Sequence, residues 1–368
     1  MERDQILLNN KLNNTLKELT KIKKRYEELL KKQIRLEEEN KKLKNENEML
    51  RNFLNQNKIQ LTISNIKSDK KISNEWVCLM GVFPSGNIIS VSRDKSIKIY
   101  NKNLEIRPSI QDIPNAHDDD INYVEIIDEN NFITCSNDKS IKIWNKKKNK
   151  FMINQIIQNA HNDGIMKVIY CSNGDLISCS INGPIIIWKE KKNQYIKIKQ
   201  LSQDNNIRDL LLLEDKNMFI SGGENGIIFW NFNQNNLDCN NIYSIHYIKE
   251  LYCERNNSMC RLDDDRIIIN GSKKGLLKVI SISKKEIIND NIPIPFLCYG
   301  IKLIKNKGIF LVGGKNIFGI RVYRSDNYEC IQKIENPYDD DIYGFIELND
   351  GNIASYSNEG QIIIWKYI

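Results

Sequence analysis

Three aspartate triplets and three histidines are the residues of this chain best suited to chemistry. Asp118–Asp120, Asp263–Asp265 and Asp339–Asp341 offer carboxylates for a cation or a basic peptide, and His117, His161 and His246 offer imidazoles for proton relay or metal ligation. Their surroundings argue against a catalytic centre. The chain has no G-x-S-x-G elbow, no Walker loop, no H-E-x-x-H helix and no Cys/His cluster with zinc spacing. The nine cysteines include no C-x-x-C pair, and most fall inside apolar runs, where they read as small buried hydrophobes in a reducing compartment. No cofactor, metal or small-molecule substrate is expected.

The elements that position these residues repeat. SRDKSIKIY ends at Tyr100, SNDKSIKIW at Trp144, SINGPIIIW at Trp188, GGENGIIFW at Trp230 and SNEGQIIIW at Trp365, with weaker copies ending at Val279 and Tyr323. Successive anchors are 44, 44, 42, 49, 44 and 42 residues apart, the length of one four-stranded propeller blade. The second unit reads as INYVEII, FITCS, Ser140–Trp144 and Phe151–Ile157, short β-branched runs separated by Asn- and Asp-rich turns. One such sheet cannot cover both of its faces, so seven must stack around an axis. Trp365 lies near the end of the sequence, leaving the seventh unit without an outer strand, and Ile59–Ile66 is a spare strand expected to pair with Gln361–Lys366. The first and third aspartate triplets then precede a first strand, whereas the second follows one at the opposite end. The three cannot converge, and exposed acidic turns are their ordinary reading. Together with Asp163 and Asp204, the first and third triplets would make one end acidic enough to favour a basic peptide.

This pattern resembles the WD-repeat family of β-propellers, over residues 58–368. The family's Gly-His pair stands here as Ala116-His117 and Ala160-His161. Its turn aspartate stands as Asp94, Asp138, Asn182 and Asn225, and its Trp-Asp as Trp144-Asn145, Trp188-Lys189 and Trp230-Asn231. The resemblance implies structural roles for His117, Asp138, Trp144, His161, Trp188, Trp230 and Trp365. Only the second unit has the full hydrogen-bonding set of His117, Thr134 or Ser136, Asp138 and Trp144; the fifth and sixth lack both His and Trp and are expected to rest on packing. Relatives bind partners on the end called the top, at the residue just after each first strand begins. That position falls here on Cys78, Asn122, Met166, Arg208, Cys260, Tyr299 and Tyr343, among which Arg208, Tyr299 and Tyr343 are the types that most often dominate interfaces.

Residues 1–57 differ in composition, with no Gly, Pro or Cys. With Leu12 at position a of a heptad, the d positions are Leu8, Thr15, Ile22, Leu29, Leu36, Leu43 and Leu50. The a positions include Tyr26, Asn40, Asn47 and Leu54, and the flanking pairs Glu18–Lys23, Lys32–Glu37, Glu39–Lys44 and Glu46–Arg51 have opposite signs in a parallel dimer, with Arg25–Leu30 the exception. A parallel homodimeric coiled coil is expected, sealed by Leu29, Leu36, Asn40, Leu43, Asn47 and Leu50; a single solvated helix and a hetero-coil are the alternatives.

Net charge is +7, of which residues 1–57 carry +4. A propeller at +3 is not a nucleic-acid footprint. No signal peptide or membrane span is expected, and the expected location is cytoplasmic, with the nucleus as the alternative. The expected architecture is therefore an all-β seven-bladed propeller preceded by a long α-helical coiled coil. Its expected function is that of a non-enzymatic scaffold for proteins or peptides. Autophagy conjugation scaffolds, Groucho-type co-repressors and striatin-like phosphatase scaffolds share that layout. A substrate-receptor subunit of a ubiquitin ligase is the rival reading, although no F-box or RING pattern precedes the propeller.

Overall fold

In a computed structural model, the chain divides into two compact units, Met1–Ile59 and Gln60–Ile368. The structure describes residues 61–67, 77–102, 110–201, 206–223, 226–232, 243–249, 259–272, 275–295, 297–315, 319–335, 338 and 340–367 of the second unit. In the first unit it describes 21, 23–26, 31–33, 35, 36, 38, 41 and 42, all helical and exposed. Leu36 is 50 % exposed. Leu29, Asn40, Leu43, Asn47 and Leu50 lie outside the described residues. No described helix is long and apolar enough to cross a membrane.

The described residues of the second unit form seven four-stranded antiparallel sheets. Blade 1 comprises Val77–Val82, Ile88–Ser92, Ile97–Tyr100 and Gln111–Ile113, and blade 2 comprises Ile121–Ile126, Asn131–Ser136, Ile141–Lys147 and Lys150–Ile157. Blade 3 is Ile165–Tyr170, Leu176–Ser180, Ile185–Lys191 and Gln194–Leu201, and blade 4 is Ile207–Leu213, Met218–Gly223, Gly226–Asn231 and Tyr243–Lys249. Met259–Arg261, Arg266–Ser272, Leu276–Ser281 and Glu286–Pro293 make blade 5, and Cys298–Ile304, Ile309–Gly314, Ile320–Arg324 and Cys330–Ile334 make blade 6. Blade 7 takes Ile342–Glu347, Ile353–Ser357 and Ile362–Tyr367 from one end of the chain and Leu61–Lys67 from the other. That last strand runs antiparallel to Ile362–Tyr367, with Leu61 opposite Tyr367 and Ile63 opposite Trp365.

Each first strand neighbours the first strands of the two adjoining blades, and blade 7 returns to blade 1, so the ring is closed. Burial follows from this stacking. The second strands are buried almost throughout because both faces meet a neighbouring blade, whereas outer strands such as Lys150–Ile157 alternate towards solvent. Aromatic anchors on the third strands stack on second-strand phenylalanines: Phe132 on Trp144, Phe219 on Trp230 and Phe310 on Tyr323, with ring centroids 5.6, 5.9 and 5.1 Å apart.

Two local devices recur. In blades 1 and 2 the turn after the second strand is held by an aspartate whose carboxylate accepts the amide and hydroxyl of a serine two residues on, Asp94 with Ser96 and Asp138 with Ser140. Lys95 and Lys139 complete these turns in the left-handed region. On the outside, the Gln111 amide donates to Phe151 O and accepts Phe151 N–H at 2.9 and 2.8 Å, and Gln155 does the same for Tyr195 at 3.1 and 2.8 Å. Each glutamine thereby occupies edge groups of the next blade's outer strand that would otherwise face a foreign strand.

Blade 5 departs from the sequence reading. Ile280, not Val279, takes the anchor place: it pairs with Ile267 and packs on Leu213, Ile220 and Phe229 of blade 4, while Val279 points to Phe310 and Tyr323 of blade 6. Without a tryptophan to mark the register, an Ile-rich strand fits either way, and a one-residue slip exchanges its faces.

Around the axis the inner strands of blades 6 and 7 approach closely because Gly300 has no side chain. A Cβ there would lie 2.7 Å from Tyr343 O and 2.9 Å from Gly344 Cα, both backbone atoms that cannot step aside. Gly300→Ala is expected to lower the unfolding free energy in urea by about 1–3 kcal/mol; unchanged stability would mean that this approach is not a constraint.

Candidate functional site: the bulged inner ring and its channel

The one hydroxyl–imidazole–carboxylate relay in the described residues lies in blade 2. Trp144 Nε1–H donates to Thr134 Oγ1 at 2.9 Å, Thr134 lies 2.7 Å from His117 Nε2, and His117 Nδ1 lies 2.8 Å from Asp138 Oδ2. A neutral imidazole with its proton on Nδ1 satisfies every group in this chain. Asp138 also accepts the Asp118 amide and both donors of Ser140. Burial alone would raise the Asp138 carboxyl, but these hydrogen bonds hold it well below the usual carboxylate range, while burial lowers His117. Thr134 and His117 are fully buried. No substrate reaches them, so the relay pins the blade.

Other blades keep parts of this pin. Trp188 donates to Ser178, which meets His161 Nε2 at 2.7 Å, but Asn182 turns away to Asp163 Oδ2. His161 Nδ1 and Ser180 Oγ are thereby left buried without a partner. Trp230 donates to Ser221 and Trp365 to Ser355, both at under 3 Å. In blade 7 Tyr338 replaces the histidine: its hydroxyl lies 2.6 Å from Ser355 Oγ and accepts Ile363 N–H. Tyr338 precedes Ser355 by 17 residues, as His117 precedes Thr134 and His161 precedes Ser178. That spacing was the available signal for a residue the sequence reading missed.

Six of the nominated top-face residues share one backbone feature. The ladder between first and second strands shifts register after Val77, Ile121, Ile165, Ile207, Cys298 and Ile342. The extra residues at these bulges are Cys78, Asn122, Met166, Arg208, Tyr299 and Tyr343, so each side chain is re-aimed at the same height of its blade. Cys78, Asn122, Met166 and Arg208 are half-buried. Asn122 donates to Asn137 Oδ1 and to Ile165 O of the next blade. Tyr299 and Tyr343 are only 7 % exposed and meet edge to face, 5.5 Å between centroids. Cys260 stands three residues further along its strand, level with Glu125; the place corresponding to Asn122 falls at 257, outside the described residues.

One residue below the bulges, the inner strands carry a charged chain across blades 2 to 4. Lys167 Nζ lies 2.7 Å from Asp209 Oδ1 and 4.9 Å from the Tyr123 ring centroid, and Asp209 also accepts the amides of Leu210 and Met259. Burial would depress Lys167, but the Asp209 carboxylate overrides it and holds the ammonium above its usual range. Nearby, burial pushes Glu125 up to about 7, even though it accepts the Tyr170 amide. Tyr123, Glu125 and Lys167 border an axial cavity of about 570 Å³ lined by all seven blades, with Lys302 and Tyr356 on the far wall. A wider hollow of about 1010 Å³ on the opposite end from the bulges is lined by Glu214, Asp215, Arg261 and Asp263, where Arg261 makes a bidentate pair with Asp215.

The aspartate triplets act in turns. Asp263 and Asp265 accept amides and side-chain donors of their own and the neighbouring turn, Asp120 lies 3.4 Å from Arg93, and Asp340 accepts the Glu359 amide. Asp204 and Asp339 lie outside the described residues. Among the described residues, no group of three or more His, Cys, Asp or Glu is arranged to hold a metal ion.

His161 provides a pH test. Burial lowers its pKa from 6.5 to about 4, with Lys197 adding to the effect. Between these values the unfolded chain binds a proton that the folded chain does not, so stability falls as pH falls. The stability difference between the native chain and His161→Gln should shrink by on the order of 3 kcal/mol from neutral pH to about pH 4. A difference independent of pH would show that His161 titrates normally.

Residues 109–145 match the family model of the WD domain, G-beta repeat. A comparison with curated proteins finds no match. The matched stretch runs from the outer strand of blade 1 through the third strand of blade 2, the part that holds the complete relay. The chain thus folds as a seven-bladed propeller with a WD repeat centred on its second blade.

Proposed function

We propose that the chain is a non-enzymatic, cytoplasmic scaffold that recognises a protein or peptide on the bulged end of its propeller. The observation that carries this reading is the ring of bulge residues, which repeats one re-aimed side chain in six of seven blades. Met166 and Arg208, on adjoining blades, supply an adaptable apolar chain and a fixed cation at its more open side. Asp118, Asp119 and Asp163 lie on turns at the same end, and this acidity favours a partner with a basic segment.

The scaffold is bivalent through a parallel coiled coil over residues 1–57. Its support is the heptad and the exposure of Tyr26 and Leu36 on helical positions, large apolar groups that a second helix would cover. Bivalence raises avidity for a clustered target without any new contact.

Light scattering on the full chain and on residues 58–368 is expected to give a dimer and a monomer; a monomeric full chain removes bivalence. A random peptide array probed with the full chain is expected to enrich Lys- and Arg-containing peptides. Met166→Ala with Arg208→Ala, which adds no carboxylate to favour a basic peptide, should reduce that signal by about tenfold or more, the loss of one or two central interface side chains. Enrichment unaffected by this double variant would move recognition off the bulged end.

A further inference from the structure

The two outer hairpins of blades 2 and 3, residues 145–157 and 189–200, contain nine lysines and one acidic residue, Glu190. Their net charge of +8 exceeds the +7 of the whole chain, so everything else sums to −1. Along the sequence the two runs are separated and blend into a lysine-rich composition. The fold brings them together, because Gln155 of one outer strand bonds the Tyr195 backbone of the next.

The hairpins present this charge rigidly. Each turns through two left-handed residues, Lys148-Asn149 at φ 49° and 63° and Lys192-Asn193 at φ 51° and 61°, as a two-residue turn that continues the strand twist. Lys147, Lys148, Lys150, Lys191, Lys192 and Lys197 are exposed. Nearby acids do little to cancel them: Glu129 lies 3.8 Å from Lys146, Asp128 holds its own turn, and Asp175 is buried.

An independent observation lies on the same strands. Met152, Ile153, Ile156 and Ile196 account for four of the seven strongly exposed large apolar side chains among the described propeller residues, and Met152 is 55 % exposed. Nucleic acid would use the lysines but gains nothing from aliphatic chains, since base stacking requires aromatic or guanidinium planes. An anionic lipid surface uses both, with ammonium groups at the headgroups and aliphatic chains at the acyl boundary. We propose that the outer rim of blades 2 and 3 docks the propeller edge-on to an anionic membrane, through Lys147, Lys148, Lys191 and Lys192 and the protruding Met152, Ile153, Ile156 and Ile196. This surface is separate from the bulged end.

Flotation of the full chain with vesicles of equal parts phosphatidylcholine and phosphatidylserine, and with phosphatidylcholine alone, tests it. Binding is expected to the mixed vesicles only and to weaken with salt. Reversal of Lys147, Lys148, Lys191 and Lys192 to Glu should cut the bound fraction by more than about tenfold. Met152→Ser with Ile156→Ser, which leaves the charge intact, should reduce it as well. All six side chains are exposed, and unchanged thermal melting of each variant checks that it folds. Absent or composition-independent binding overturns the proposal, as does wild-type behaviour of either variant. Retention of single-stranded DNA without vesicle binding assigns the patch to nucleic acid instead.

Discussion

No blade of this protein can stand alone, because each is a sheet with apolar residues on both faces and two edges. Every face is covered by a neighbour only when the ring is complete. The closing pair is Leu61–Lys67 against Ile362–Tyr367, which joins distant parts of the chain in one sheet. The functional features depend on it: seven inner strands level with one another produce the row of bulges, the axial cavity and the Lys167–Asp209 pair between blades.

The blades solve the same packing problem with different chemistry. Blade 2 uses a complete Trp–Thr–His–Asp chain, blade 3 lacks the carboxylate, and blade 7 substitutes a tyrosine hydroxyl for the imidazole. Blade 6 keeps the stacked pair as Phe310 and Tyr323, whose hydroxyl donates to Pro293 O, and blade 5 relies on aliphatic contacts. What is common is the buried face of the third strand; the polar pin varies because any arrangement that leaves few buried groups unpaired is adequate.

The period and the aromatic third-strand anchors were legible because each is written in local spacing and residue type, whereas the pairing of His117 with Asp138 came from the resemblance, which left Thr134 and Ser136 open. The positions of the bulge row, blade 5 excepted, came from the resemblance, but neither the bulges nor the burial of Tyr299 and Tyr343 did, since a position in a repeat does not say how closely the next blade approaches. Blade 5 slipped where an aliphatic run has no marked face. Lys167 and Asp209 passed unnoticed because each is a lone charge in an apolar run, and their pairing exists only between blades. The lysine-rich rim was hidden for the same reason: charge summed along the chain is diffuse, whereas charge summed over adjoining hairpins is not.

The most direct test of this account is the thermal stability of a chain beginning at Lys58 against one beginning at Ser68, which lacks the closing strand. The shorter chain is expected to melt at clearly lower temperature, with its exposed Ile362–Tyr367 edge promoting association. Equal melting temperatures would contradict it, because the ring would then be stable without its closure.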